Sequence, residues 1–189
     1  MDGLEKQDVF SVLGIGFRED SYSELIANVL EHCPEWARAF LDESFSDKPP
    51  SFPVTHVETR MSLPTDDDKR VIPDLLFFCG DTERPNREIY WIEAKIQASE
   101  GKGQTKTYKE AMCEYATNEG ADRSVGGFIT LDGREPECDD VAVLTYEPLV
   151  DIVEPGRIAQ KYPWMEPVVS ALVGRLAHYY EKKKKVEGG

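Results

Sequence analysis

Apolar positions in residues 19–33, EDSYSELIANVLEHC, recur at helical spacing. Leu25, Ile26, Val29, Leu30 and Cys33 share one face, and Ser21 and Glu24 stand at the spacing of a capping box. This predicts an amphipathic first helix. Pro34 opens a second, short helix in PEWARAFLDESF, and the proline- and serine-rich SDKPPSFP ends it. Three strand-like runs follow: VTHVETRMSL (54–63), RVIPDLLFFC (70–79) and EIYWIEAKI (88–96). Their connections, TDDDK and GDTERPNR, are too short for a parallel crossover, which needs about a dozen residues, so antiparallel hairpins are expected. A helix is predicted from Gln104 in QTKTYKEAMCEYA, then the strand SVGGFITL, the turn DGREPE and the strand VAVLTY. EPLVDIV and WMEPVVSALVGRLAHYYEKKKK read as two closing helices. The lysines ending the second favour its dipole and read as a solvated helix end. The core order is α, β, β, β, α, β, an α/β class.

Length changes the picture only by limiting it: 189 residues without an internal repeat predict a single domain over 1–189, with a core at about 19–146 and a helical extension at about 147–185. Hydrophobic residues make up 40% and charged residues 31%, a globular balance that excludes disordered, collagen-like and coiled-coil classes. No run approaches the roughly 20 apolar residues of a membrane helix. MDGLEKQDVF lacks the basic and apolar regions of a signal peptide, so a cytoplasmic protein without a membrane partner is expected. Cys33, Cys79, Cys113 and Cys138 form no close pair and read as reduced, mostly buried thiols. His32, His56 and His178 are equally scattered, which leaves transition-metal chemistry little support. With 22 Lys+Arg against 36 Asp+Glu the net charge is −14, which excludes a protein that coats nucleic acid by bulk charge but not a locally built phosphate site.

Candidate chemistry lies on the second and third strands. Asp74 stands among apolar neighbours in RVIPDLLFFC, where both faces are hydrophobic. In EIYWIEAKI, alternation puts Ile89, Trp91, Glu93 and Lys95 on one face and Tyr90, Ile92, Ala94 and Ile96 on the other. Charges in apolar strands are costly unless they are paired or hold a cation. Two readings follow: a buried salt bridge of Lys95 with Glu93 or Asp74, or a site in which two carboxylates supply the hard oxygens that Mg²⁺ prefers.

Pro73 and Asp74 ("PD") followed by Glu93, Ala94 and Lys95 ("EAK") resemble the signature of the PD-(D/E)XK nuclease superfamily, placed on the second and third strands of the matching element order. Gln104 and Tyr108 are similar to its Q-x-x-x-Y element. Glu19, Ser23 and Ile26 resemble the E-x-x-x-S-x-x-L first helix of a branch of short microbial members, and FITLDG and VLTYEPLVDIV resemble later segments of that branch. The likeness spans roughly residues 8–155. It departs in Ala94, where the branch often has Asn, and in the acidity of the chain.

The resemblance implies a restriction-endonuclease-like αβββαβ core with a central mixed sheet flanked by helices, and metal-assisted hydrolysis of phosphodiester bonds, most often in DNA. By position it implies Asp74, Glu93 and Lys95 as catalytic residues. Asp74 and Glu93, the carbonyl of Ala94 and Glu19 would hold Mg²⁺ or Mn²⁺, and Gln104 and Tyr108 would contact the substrate. A homodimer or a partner protein is expected to help bind nucleic acid. The alternative is a non-catalytic binding or inhibitory protein on the same scaffold that engages a basic protein partner. If the first helix begins by Glu19, helical geometry puts Glu19 on its buried face and Glu24 outward, whereas a start at Ser21, which the capping-box spacing favours, leaves Glu19 in the preceding turn beside the helix N-terminus. Asp66, Asp67 and Asp68 read as a solvated hairpin turn, and Asp139 and Asp140 as a solvated loop. Lys102, Lys106 and Lys109 share a helical face opposite Gln104 and Tyr108, directed to solvent.

Overall fold

Leu75–Cys79 and Glu88–Lys95 are buried at every position, which only a strand covered on both faces and both edges achieves. They are β4 and β5 at the centre of a sheet in a computed structural model that describes residues 10, 19–65, 70–84, 86–96 and 99–187, the side chains of Glu19 and Glu187 apart. The strand order is β1-β4-β5-β6-β7, with β1 at Val54–Glu58, β6 at Arg123–Thr130 and β7 at Ala142–Thr145. β1–β4 and β4–β5 are antiparallel, as the short connections predict; β5–β6 and β6–β7 are parallel. The β5–β6 crossover is made by helix α3, Gln104–Asn118. The architecture is therefore α/β with a mixed central sheet.

Two of the predicted strands are each broken in two. The run at 54–63 is β1 followed by β2, Leu63–Pro64, and the run at 70–79 is β3, Arg70–Val71, followed by β4. β2 and β3 pair as a small separate hairpin. Arg60 turns the chain between β1 and β2 with φ 57°, in the left-handed region, and Pro73, between β3 and β4, lacks the N–H that a continuous ladder needs. The turn residues Asp66, Asp67 and Asp68 lie outside the described residues.

The alternation along β5 sorts the core. Tyr90, Ile92, Ala94 and Ile96 face one cluster with Ile26, Leu30 and Phe40 from α1 (Glu19–His32) and α2 (Pro34–Ser44). Ile89 and Trp91 face the other, with Met112 and Ala116 of α3 and Phe128 of β6. α1 reaches back at least to Glu19 instead of starting at Ser21. Its buried face takes in Tyr22 and Ser23, while Glu24 is exposed as expected. Three helices close the described chain instead of two: α4, Glu147–Ile152, then α5, Pro155–Lys161, with proline in its first turn, then α6, Glu166–Glu187. The terminal lysines of α6 do more than meet solvent: Lys184 pairs with Glu147 at 2.7 Å. Among the described residues no helix is long and apolar enough to cross a membrane.

Candidate active site where two strands part

The last paired residues of β4 and β5 are Leu75 and Ile92. Beyond them Pro73 cannot donate to the ladder, and its carbonyl instead accepts the Arg60 N–H at 3.2 Å. The strands separate, and this releases the main-chain groups of Ala94. Asp74 takes up the loss: its Oδ2 accepts the Ala94 N–H at 2.8 Å. On the next peptide, Lys95 Nζ donates to the Ala94 carbonyl at 3.1 Å, and also to Glu93 Oε1 at 2.6 Å. Asp74 and Lys95 thus meet the main chain of Ala94 on either side of its Cα, and Lys95 ties Glu93 to them, with Asp74 half-buried and the Glu93 side chain 3% exposed.

Helix α3 closes the other side. Gln104 Nε2 donates to Glu93 Oε1 at 2.5 Å and lies 3.4 Å from the Tyr108 hydroxyl, one turn on. The Tyr108 ring packs 6.4 Å from that of Trp91. Burial, then the Glu93 charge, raises the Tyr108 hydroxyl above its ordinary value, so Tyr108 is a neutral donor facing two carboxylates. The six implied site residues within the described side chains, Asp74, Glu93, Ala94, Lys95, Gln104 and Tyr108, therefore lie together. Glu19 begins α1, and its side chain lies outside the described residues.

The sequence pattern does not single out Glu100. It stands in a polar stretch where a carboxylate reads as solvated, yet it fastens the start of α3. Its Oε1 accepts the Thr105 N–H and hydroxyl at 2.8 and 2.6 Å, and its Oε2 accepts the Glu137 N–H at 2.8 Å. Burial opposes its charge, but the bonds from Thr105 and Glu137 outweigh it and hold the Glu100 carboxyl below its ordinary value. An acidic residue at a helix start is a signal that could have found it. Arg60 carries no sequence signal of its own. Its guanidinium lies 3.3 Å from Asp20 and 3.4 Å from Glu24, tying α1 to the segment that carries Asp74.

The lysine face is corrected in part. Gly103, at φ 66°, caps α3, so Lys102 lies in the preceding turn; Lys106 is exposed; Lys109 is bonded to Asp140. Asp139 and Asp140 are both exposed as expected, and Asp140 is an ion-pair partner besides. Cys33 and Cys79 are buried, and burial pushes the Cys79 thiol up to about 12, which makes it inert. Cys113 is exposed, against expectation. At the far end of β5, Glu88 is also buried, but Arg123 at 3.0 Å and the Ser51 N–H at 2.8 Å serve its two oxygens in a structural pair.

Among the described residues no three His, Cys, Asp or Glu side chains form a metal-binding group. The donor set for a hard cation is thus two carboxylates, Asp74 and Glu93, with the Ala94 carbonyl. All are oxygens, and the Lys95 ammonium already bridges Glu93 and that carbonyl, so the chemistry of the site fits a cation.

The sequence matches no protein-family model and no curated protein. Among solved structures the chain is similar to the small subunit of the heterodimeric restriction endonuclease R.BspD6I, at 11% identity and a TM-score of 0.28, over 84% of this chain and 97% of that one. A likeness of that size assigns neither an activity nor a site.

Proposed function

We propose that the chain is a metal-dependent nuclease of the PD-(D/E)XK type, hydrolysing phosphodiester bonds in DNA. The observation that supports this is one bonded cluster where β4 and β5 part: Asp74 and Lys95 hold the main-chain N–H and carbonyl of Ala94, and Lys95 and Gln104 both donate to Glu93. Asp74, Glu93 and the Ala94 carbonyl would hold Mg²⁺ or Mn²⁺, with Glu19 as a further candidate ligand. Such an ion supplies Lewis-acid activation of the phosphodiester and of the attacking water. Lys95 orients that water or offsets charge developing on the phosphate. Gln104 holds Glu93 and, with Tyr108, offers donors to the substrate backbone.

The Asp74→Asn variant separates chemistry from folding, because its amide oxygen still accepts the Ala94 N–H while the charge is lost. The expected outcome is cleavage of duplex or single-stranded DNA by wild type with Mg²⁺ or Mn²⁺, none in EDTA, and a loss of at least a hundredfold in Asp74→Asn at nearly unchanged stability. Wild type that cuts neither DNA nor RNA with either metal, and shows no metal-dependent thermal shift, would sink the reading and favour a non-catalytic binding protein.

A further inference from the structure

We propose that the outer edge of β7 is a docking site for an extended, lysine- or arginine-rich segment of a partner protein, which joins the sheet as a sixth strand. The sheet has two edges, and they differ. At β1 the Val57 N–H is taken by Glu31 of α1, and a bulge between Val54 and His56 distorts the strand, both of which deter pairing. At β7, Ala142–Thr145, no strand follows among the described residues, and alternate main-chain groups of such an edge face outward. A groove of about 550 Å³ runs beside it, lined by β7, α2 and α4. It meets a second of about 370 Å³ at Ser44 and Val143. Val143 is 45% exposed, a large apolar side chain at the middle of the channel.

Charge selects the occupant. Glu43 and Asp151 line the first groove and Asp47 and Asp139 the second, all four exposed, with Lys48 as the opposing charge in the second. A nucleic acid would set phosphates against these carboxylates. A second copy paired edge to edge would set them against themselves, each copy carrying −14. A basic strand meets both the carboxylates and the open main chain, with an apolar residue over Val143, as in strand addition to a sheet edge. β7 has only four residues, so few ladder bonds form and charge must supply much of the affinity. This inference does not rest on the nuclease reading.

The probe is a short labelled peptide alternating lysine and valine, titrated into the full chain by fluorescence anisotropy, with a glutamate-for-lysine peptide as control. The variant Glu43→Lys/Asp151→Lys reverses charge in the groove. Glu110→Lys/Glu114→Lys makes the same change in net charge on the exposed face of α3. The expected results are salt-sensitive binding of the lysine peptide, a loss of at least tenfold in the groove variant but under twofold in the α3 variant, and new hydrogen-exchange protection of the 142–145 amides in wild type. Equal losses in the two variants would show bulk attraction only and overturn the proposal. Absence of binding, absence of protection, or a dimer by light scattering with these amides already protected would each overturn it as well.

Discussion

Removing the Lys95 ammonium tests both the geometry of the site and its affinity for cations. In Lys95→Ala the Glu93 carboxylate, whose side chain is 3% exposed, loses its 2.6 Å ion pair while Gln104 remains. Stranding one member of a buried pair costs about 3–5 kcal/mol. For a chain of this length, a change of about 1 kcal/mol moves the melting temperature by roughly 2–4 °C, so a fall of roughly 6–20 °C is expected. Exchanging Glu93 for Gln in the same molecule removes the stranded charge, and the double variant is expected to regain most of the loss. The cycle thereby isolates the pair from its surroundings.

The same variant reports on metal binding without any catalytic readout. A divalent ion at about a hundredfold excess over its Kd returns about 2.7 kcal/mol to the folded state. Lys95→Ala lacks the ammonium that bridges Glu93 and the Ala94 carbonyl, so Mg²⁺ is expected to stabilise it more than wild type. Urea titrations with Mg²⁺ and with EDTA measure both quantities. A loss under about 1 kcal/mol in EDTA would refute the buried-pair reasoning. Equal or absent stabilisation by Mg²⁺ in the two proteins would refute the cation site while leaving the pair intact.

Two further outcomes are expected from the fold. A Cβ at Gly126 would stand 2.2 Å from Trp91 Cζ2, an overpacking expected to cost Gly126→Ala about 1–3 kcal/mol in chemical denaturation and to shift the emission of the buried indole. The Glu100 carboxyl sits below its ordinary 4.5, so its contribution is complete above that pH and disappears as pH falls through the lowered value. The stability gap between wild type and Glu100→Gln, measured by urea titration across pH, is accordingly expected to be widest above about pH 4.5 and to close in acid; a gap that widened in acid would reverse the sign of the argument.

The residues of the site are legible in the sequence because they obey local rules. Alternation along β5 places Glu93 and Lys95 together and Ala94 opposite, and the clusters around Trp91 and Tyr90 follow the same period. Where the ladder ends is another matter. RVIPDLLFFC is one continuous apolar run, and only the departure of Pro73 toward Arg60 shows that Asp74 stands at a parting of strands, not within one. The contacts of Glu100 with Glu137 and of Lys184 with Glu147 are not legible, because each pair stands 37 residues apart in sequence and is brought together by the fold. Helix α5 is hidden for the opposite reason. Seven residues opening with Pro-Gly have too little periodicity to outweigh their turn composition.

The distribution of ion pairs connects the two proposals. Arg38, Arg60, Arg84, Arg87, Arg123, Arg134 and Arg157 each lie within salt-bridge distance of a carboxylate of this chain, and Lys109 of α3 is bonded to Asp140. Affinity for nucleic acid rises with the number of phosphates that cations neutralise, and a guanidinium already matched to Asp or Glu contributes little unless that pair breaks. On the proposed nuclease reading, a chain at −14 with these seven arginines engaged would pair a site for a phosphodiester with a surface poorly suited to attracting one. A basic segment seated on β7 would lower the charge of the complex where the carboxylates are exposed. The rest of such a partner would then be free to supply the phosphate contacts that these paired cations do not.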